Sequence, residues 1–361
     1  MPILDHVPFG VRDVDAIPEA FARLGFTTVA SVCRWSRRDR TGEARTGEAR
    51  TGEARTGEAR TGEARTGKAR TYEARALSIV FEHAYLDLIE VEPGDPGWDD
   101  HLRSSAVYGK GIAPSGIVFS SRALGETRAS LAARGVGVGE PYEIVRELRD
   151  ARPPEIRYRI FSLRGQPRGQ PALPFAFLED SAPEAMRTDA WLQHPNSATG
   201  IRCVHLRVPS LQAVRSPLRT IAGGLAEVDP AEPADPAEIE PADPVEIEPA
   251  DPADPVEIDP VDPADPVEVD LGPAALLLHE TPRAPHLDEV SSLLPRRDRA
   301  ALLAIEVAVA DMEVARALLA RNRIPTSLVA AGLAVAPAAG YGCGFVFVPK
   351  EGGEPRQRSI P

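Results

Sequence analysis

The feature that most constrains this chain is an internal repeat, which predicts a strand followed by a helix four times over. The first copy, HVPFGVRDVDAIPEAFARLGF at residues 6–26, alternates apolar residues and then spaces them like one face of a helix. The pattern recurs without gaps at residues 116–136, 203–223 and 304–324. We expect an aspartate, Asp13 in the first copy and Asp311 in the last, to cap the helix. A single copy would expose its apolar sheet face, so the copies are expected to pair.

Apolar, strand-like segments follow each copy of the repeat. They lie at residues 77–91, 157–178, 274–279 and 333–348. The sequence therefore predicts the α+β class, with four βαβββ modules at residues 3–92, 114–180, 200–280 and 300–349. Pairing of neighbouring modules predicts two domains, at residues 1–195 and 196–361.

Two low-complexity tracts interrupt this pattern. Residues 40–75 repeat the unit RTGEA and end on RTGKA and RTYEA, whereas residues 227–270 are acidic and rich in proline. A period of five gives neither a helix nor a strand an apolar face, and closely spaced prolines exclude a helix interior. Each tract falls between the helix of a module and its later strands, so we expect both to be disordered excursions from surface loops.

The net charge of −13 comes from one of these tracts. The acidic tract holds 17 Asp and Glu residues and no basic one, and the pentad tract contributes +3, which leaves +1 for the remainder of the chain. Nucleic-acid binding needs clustered Lys and Arg to displace counterions. The near-neutral remainder therefore argues against a nucleic-acid partner.

The sequence also indicates where in the cell the protein is located. No apolar run approaches the roughly 18 residues of a spanning helix, and the N-terminus lacks the layout of a signal peptide. We expect a cytoplasmic protein without membrane association, either a monomer or a homodimer.

The three cysteines, Cys33, Cys203 and Cys343, are odd in number and far apart, which excludes a disulfide framework and a cysteine-rich zinc site.

The first module carries a family resemblance. Its pattern HVxxxVRDxDAxxxxFxxLGF, closing on YLDLIEV, resembles the vicinal oxygen chelate superfamily, which includes glyoxalases, bleomycin resistance proteins and extradiol dioxygenases. The segments LPFAFLED at residues 173–180 and HPNSATGI at residues 194–201 resemble the glyoxalase-like domain proteins of that superfamily. Its members include enzymes of several kinds and drug-sequestering proteins, so the fold alone does not fix the reaction.

The resemblance implies a cup, lined by the first and last strands of each module, in which His, Glu or Gln side chains hold a divalent metal. His6 matches the ligand position on the first strand, and Asp87 stands at the carboxylate position on the closing strand. The second module has Gly116 and Ala176 at these positions. The implied ligand set for Zn, Mn, Ni or Fe is therefore incomplete, because catalytic zinc normally has three protein ligands.

Five further residues are candidates for a site. His194 and Asn196 belong to the HPNSATGI motif, and His83 lies in the turn EHAY. His205 and Glu306 lie two residues beyond the ligand positions of the third and fourth modules and are expected to face the cup, where they would form a second polar site.

Two functions remain open. The first is a glyoxalase-like small-molecule enzyme, with metal-dependent lyase, isomerase or dioxygenase-type chemistry on an oxygenated organic substrate. The alternative is a metal-free protein of the same fold that binds or sequesters a small organic ligand. A complete set of metal ligands would favour the enzyme.

Overall fold

The computed structural model describes residues 3–38, 69–90, 112–148, 155–163, 175–180, 182–214, 218, 221, 266–280, 287, 301–329, 332–337, 339 and 343–350. Within these residues the chain forms sixteen β-strands in two sheets and a smaller number of helices. The predicted α+β class, with mostly strands, is confirmed.

A nine-stranded sheet is built from the first half of the chain. Its first elements are β1 (Ile3–Val11), α1 (Ile17–Arg23), β2 (Val29–Arg38), β3 (Ala69–Val80) and β4 (Tyr85–Glu90). Its later elements are β5 (Ile112–Pro114), β6 (Ile117–Ser120), α2 (Leu124–Ala133), β7 (Tyr142–Leu148), β8 (Glu155–Ser162) and β9 (Phe175–Asp180).

This sheet closes on itself. The strand order is β4-β3-β2-β7-β8-β9-β6-β1-β5, and β1 also pairs in parallel with β4. Because the two ends of the row are joined, the strands form a barrel, with β5 as an additional strand beside β1. A barrel gives each strand one face toward its interior and one face toward the outside.

A seven-stranded open sheet is built from the second half. After α3 (Asp189–Leu192), its elements are β10 (Ala198–Arg207), β11 (Val267–Asp270), β12 (Ala275–His279), β13 (Ala301–Val309), α4 (Met312–Arg321), β14 (Thr326–Val329), β15 (Gly332–Val335) and β16 (Gly344–Pro349). The strand order is β11-β12-β10-β13-β16-β15-β14.

One apolar core joins the two sheets. Phe26, just after α1, lies 5.9 Å from Phe347 of β16, ring centre to ring centre, and Phe21 of α1 meets Phe345 edge to face at 6.2 Å. Outward-facing barrel residues and core-facing residues of the second sheet belong to the same buried cluster, which we call the shared core. The division into two domains at residue 195 stays a prediction.

The turn after α1 needs glycine. Gly25 has a φ of +84°, and a Cβ added there would lie 2.7 Å from the Cβ of Asn196. The side-chain amide of Asn196 donates to the carbonyl of Leu24 at 2.9 Å, so the segment before β10 packs directly on this turn.

Most of each low-complexity tract lies outside the described residues, but the last residues of each tract are described. β3 begins at Ala69 and pairs with β2 from Ala69↔Arg38 to Ser78↔Val29. The predicted tract at 40–75 therefore ends too late. Its last units alternate between apolar and polar residues well enough to extend β3, which pairs with β2. The acidic tract likewise overlaps β11, which pairs with β12.

None of the helices in the described part of the chain is long and apolar enough to cross a membrane.

The predicted helix cap in the last copy is confirmed. Asp311 precedes α4, and its Oδ1 accepts from the backbone N–H groups of Glu313 at 2.8 Å and Val314 at 3.1 Å. In the first copy, Asp13 accepts from the N–H of Asp15 at 3.0 Å and caps a short 3-10 helix, Val14–Ala16, that leads into α1.

We predict that Asp311→Ala lowers the free energy of unfolding by about 1 kcal/mol, because two N–H groups at the start of α4 lose their acceptor. Urea denaturation followed by circular dichroism measures the change. Asp311→Asn keeps an acceptor oxygen and should stay closer to wild type. Equal stability of wild type and the alanine variant would show that the cap contributes nothing.

Candidate functional site

Many of the residues that face the barrel interior are apolar. Along β9, Phe175 and Phe177 belong to the shared core, whereas Ala176 and Leu178 belong to a separate cluster on the opposite face. The apolar residues of this barrel interior include Val29, Val80, Val118, Leu148, Ile156, Ile160, Ala176 and Leu178. Polar side chains that enter it therefore need partners within the barrel.

His6 lies in the barrel interior and is held by its neighbours. Its side chain is buried, its Nδ1 donates to Asp5 Oδ1 at 2.7 Å, and its ring stacks on Tyr85 with centroids 4.6 Å apart. The other carboxylate oxygen of Asp5 accepts from Ser120 Oγ at 3.1 Å. The β1–β6 register shifts between Leu4 and His6, and both consecutive residues Asp5 and His6 are buried on this strand.

Asp87 also lies in the barrel interior, where Arg146 is its partner. Both residues are 2% exposed, and Arg146 Nη2 donates to Asp87 Oδ2 in a short ion pair. Ser78 Oγ donates to Asp87 Oδ1 at 3.1 Å, and Arg146 Nη1 donates to Ser78 Oγ at 2.7 Å. The fold thus brings both predicted ligands into one interior but gives each another partner, and their role as a metal site stays a prediction.

Sequence reasoning did not single out Arg146. It comes from β7, whose residues Ile144, Arg146 and Leu148 alternate toward the barrel interior. An arginine between two inward apolar positions was the available signal. The partner was not readable, because Asp87 lies 59 residues away in the chain.

Two tyrosines flank the guanidinium group. The Cζ of Arg146 lies 5.8 Å from the ring centroid of Tyr85 and 5.6 Å from that of Tyr158. Burial raises the pKa of both phenols, so both remain protonated. Burial likewise raises the pKa of the Cys33 thiol to about 11, which argues against a reactive thiolate in the barrel.

A second group of polar residues lies on the seven-stranded sheet. On β10, Val204 and Leu206 belong to the shared core, while Cys203 and His205 point to the other face. The same alternation on the neighbouring strands puts His279 of β12 and Glu306 of β13 on that face. We call Cys203, His205, His279 and Glu306 the polar face.

The polar face is tightly connected through His205. Its Nδ1 lies 3.1 Å from Nε2 of His279, and its Nε2 lies 3.1 Å from Oε1 of Glu306. The two imidazole rings stack with centroids 5.3 Å apart. A carboxylate therefore faces one side of the ring and a second imidazole the other.

Cys203 completes a compact set of possible metal ligands. One ligand atom from each of Cys203, His205 and Glu306 lies within 4.8 Å of the other two, and no other such group occurs in the described ranges. Burial, followed by the nearby carboxylates of Glu306 and Glu268, raises the pKa of Cys203 well above its ordinary value. His205 and Glu306 were predicted as a polar pair, whereas Cys203 and His279 were not predicted to join them.

The motif residues His194 and Asn196 make structural contacts. His194 Nδ1 accepts from the N–H of Thr27 at 3.0 Å, and its Nε2 donates to the carbonyl of Val80 at 2.9 Å. Burial lowers the pKa of His194, which keeps the ring neutral. Asn196 is fully buried, and its Oδ1 accepts from the N–H of Ala198. These bonds occupy both ring nitrogens of His194.

His83 lies at the surface, in the turn between β3 and β4. Its side chain is 60% exposed, and its Nε2 is 4.0 Å from Glu82 Oε2. The described contacts connect it to neither the barrel interior nor the polar face.

Comparison with solved structures finds similar chains. A hypothetical protein from Staphylococcus aureus is 10% identical with a TM-score of 0.52, over 97% of this chain and 100% of that one. A mutant 4-hydroxymandelate synthase from Streptomyces coelicolor is 10% identical with a TM-score of 0.46, over 98% and 95% of the two chains. The first likeness shows a similar fold.

Comparison with curated protein sequences gives no match. The profile of a family described as "Glyoxalase-like domain" matches residues 4–221, which is more than half of the chain and includes the whole barrel. The match agrees with the strand–helix–strand order of both barrel halves and with the motifs at residues 173–180 and 194–201. The chain therefore belongs to the glyoxalase-like domain family.

Proposed function

We propose that this chain is a glyoxalase-like small-molecule enzyme whose metal centre lies on the polar face, at Cys203, His205 and Glu306. The observation that carries the proposal is the proximity of the three donor atoms, all within 4.8 Å of one another. They come from adjacent strands of one sheet, so the backbone holds them in place.

The donor types fit a divalent transition metal. Imidazole nitrogen, thiolate and carboxylate are all zinc ligands, with bond lengths of about 2.0 to 2.3 Å, and similar sets suit iron or nickel. Ligand atoms around such an ion lie within about 4 Å of each other. Three protein ligands also leave a coordination position for a substrate, as catalytic sites require.

His279 fits the role of an outer partner that orients His205. If Nδ1 of His205 donates to His279, its Nε2 is left as the metal-binding nitrogen on the side of Glu306. The contact between Nε2 and Glu306 Oε1 would then give way to two bonds to the ion. His279 can also hold a proton near the centre without being a ligand itself.

Acidic and basic groups both act on this site. Glu306 and Glu268 oppose ionisation of the Cys203 thiol, whereas Arg202, whose Nε lies 3.8 Å from Glu306 Oε2, favours it. A divalent ion reverses this balance, because it stabilises the thiolate and the carboxylates together. Bound there, it would polarise a carbonyl or enolate oxygen of a small organic substrate as a Lewis acid.

The pair His6 and Asp87 is the alternative centre. The contacts favour the polar face, because Arg146 already neutralises Asp87 and a second cation beside it would be repelled. The barrel interior instead supports the alternative function, metal-free binding of a small molecule.

We predict that metal-stripped protein binds one equivalent of zinc in calorimetric titration, and that Cys203→Ser, His205→Ala and Glu306→Gln each weaken binding at least tenfold through loss of a ligand. His83→Ala, which removes an exposed imidazole, is the matched control and should bind like wild type. Cobalt should give a thiolate charge-transfer band that is absent in Cys203→Ser.

The alternative metal centre in the barrel is tested with His6→Ala. We avoid Asp87→Ala, because it would leave Arg146 buried without its partner. Unchanged zinc affinity in this variant supports the polar face. Loss of binding in His6→Ala together with full binding in His205→Ala would place the metal in the barrel, and absence of binding in wild type would contradict a metal-dependent function.

We further predict that zinc binding releases a proton from Cys203. Its raised pKa keeps the thiol protonated near neutral pH, and the metal takes the thiolate. The affinity should therefore rise with pH. Calorimetry in buffers of different ionisation enthalpy should find about one proton more released by wild type than by Cys203→Ser. Equal release by the two proteins would show that Cys203 is not a ligand.

A further inference from the structure

A bulge in β10 places Arg202 beside the polar face. The register with β13 shifts between Ile201 and Cys203, and Ile201 and Val204 both pack in the shared core. Two consecutive residues therefore lie between core positions, and both can turn away from the core. The contact of Arg202 with Glu306 shows that its side chain lies next to the polar face.

The same bulge occurs in the first copy of the repeat. The register of β1 shifts between Leu4 and His6, and Leu4 and Val7 both pack in the shared core. The residue before His6 is Asp5, whose carboxylate accepts from the imidazole. In the third copy, Arg202 stands where the first copy has this carboxylate. The two copies thus share a backbone feature and differ in the sign of the charge that it presents.

Arg202 acts electrostatically on the proposed metal ligands. Its Nε lies 3.8 Å from Glu306 Oε2, and its charge favours ionisation of Cys203. Its side chain is 27% exposed, compared with 13% for Glu306 and 6% for His205. A guanidinium group is always charged and carries five N–H donors in a planar fork. Arg202 therefore places a permanent positive charge on the solvent side of the site, from which a substrate would enter.

The charge balance changes when a metal binds. A zinc ion brings two positive charges and Cys203 loses a proton, so binding adds one net positive charge, which Arg202 repels. The thiolate and the carboxylate of Glu306 then neutralise the ion, and the attraction of Glu306 to the ion weakens its contact with Arg202. An anion at the open coordination position would be attracted by the ion and by the guanidinium group together.

Glu268 provides the opposing charge. It is exposed, and it acts on Cys203 with the opposite sign to Arg202. Because water screens an exposed charge, we expect Glu268 to reduce the attraction for an anion without cancelling it. It is not one of the three possible metal ligands, so its substitution provides a control of opposite charge.

We propose that the substrate of the metal centre is a small organic acid and that Arg202 determines this specificity. One carboxylate oxygen binds the ion, and the other accepts hydrogen bonds from the guanidinium fork of Arg202. This inference rests on the function proposed for the polar face and adds the charge of the substrate to it.

The first measurement is the zinc affinity of the metal-stripped, full-length protein, by calorimetry. Arg202→Gln removes the repelling charge and should bind zinc at least threefold more tightly than wild type. Arg202→Lys keeps the charge and should bind zinc like wild type. Glu268→Gln removes a negative charge and should bind zinc more weakly.

The second measurement is anion binding to the cobalt-loaded protein, followed by visible absorption with perchlorate as the background salt. The probes are acetate, its neutral counterpart acetamide, and chloride. Wild type should bind acetate at least fivefold more tightly than either of the others. Arg202→Gln should lose at least fivefold in acetate affinity, whereas Glu268→Gln should gain affinity. A site that is merely damaged loses both affinities, so tighter zinc binding together with weaker acetate binding identifies the role of Arg202.

Contrary results separate this inference from the proposed function. Equal affinity for acetate and acetamide, or unchanged acetate affinity in Arg202→Gln, would overturn the role of Arg202 and leave the metal centre in place. Chloride binding as tight as acetate binding would show attraction of charge without recognition of a carboxylate and would also overturn it. Weaker zinc binding in Arg202→Gln would contradict the repulsion argument. Absence of zinc and cobalt binding in wild type would instead overturn the proposed function itself.

Discussion

The buried ion pair between Arg146 and Asp87 is the interaction on which the arrangement of the barrel interior depends. Two opposite charges removed from water are stable only while they stay together, and loss of one partner typically costs about 3 to 5 kcal/mol. Ser78 and the flanking tyrosines complete the surroundings of the pair. Arg146, which is always charged, therefore pairs with the carboxylate of Asp87, to which the family resemblance assigns a metal. A second cation beside Asp87 is therefore disfavoured.

Apolar and polar residues are separated in this fold because each strand has two different faces. In both sheets one face enters the shared core, in which Phe26 stacks on Phe347, so the two sheets pack on each other through apolar residues. Polar residues then gather on the opposite faces, inside the barrel and on the polar face of the second sheet. On β10, Val204 and Leu206 pack in the shared core, while Cys203 and His205 lie on the polar face. The metal centre that we propose therefore lies on the second sheet, outside the barrel.

The sequence was sufficient for features that depend on local pattern. Alternation and helical spacing predicted the α+β class, the motifs predicted the family, and Asp311 was predicted as a cap from its position before a helix. Contacts between distant segments were not predictable in the same way. Arg146 reaches Asp87 from 59 residues away, and His279 reaches His205 from 74 residues away. The start of β3 at Ala69 was missed because the last units of the tract were read as part of the repeat, whereas pairing with β2 extends the strand into them.

The measurement that tests this account most directly is an anomalous-scattering map, recorded at the zinc absorption edge from crystals of the metal-stripped protein soaked in zinc. The account predicts one strong peak within bonding distance of Cys203 Sγ, His205 Nε2 and a carboxylate oxygen of Glu306, and no peak inside the barrel. A peak beside His6, or crystals that show no peak at the polar face, would contradict it.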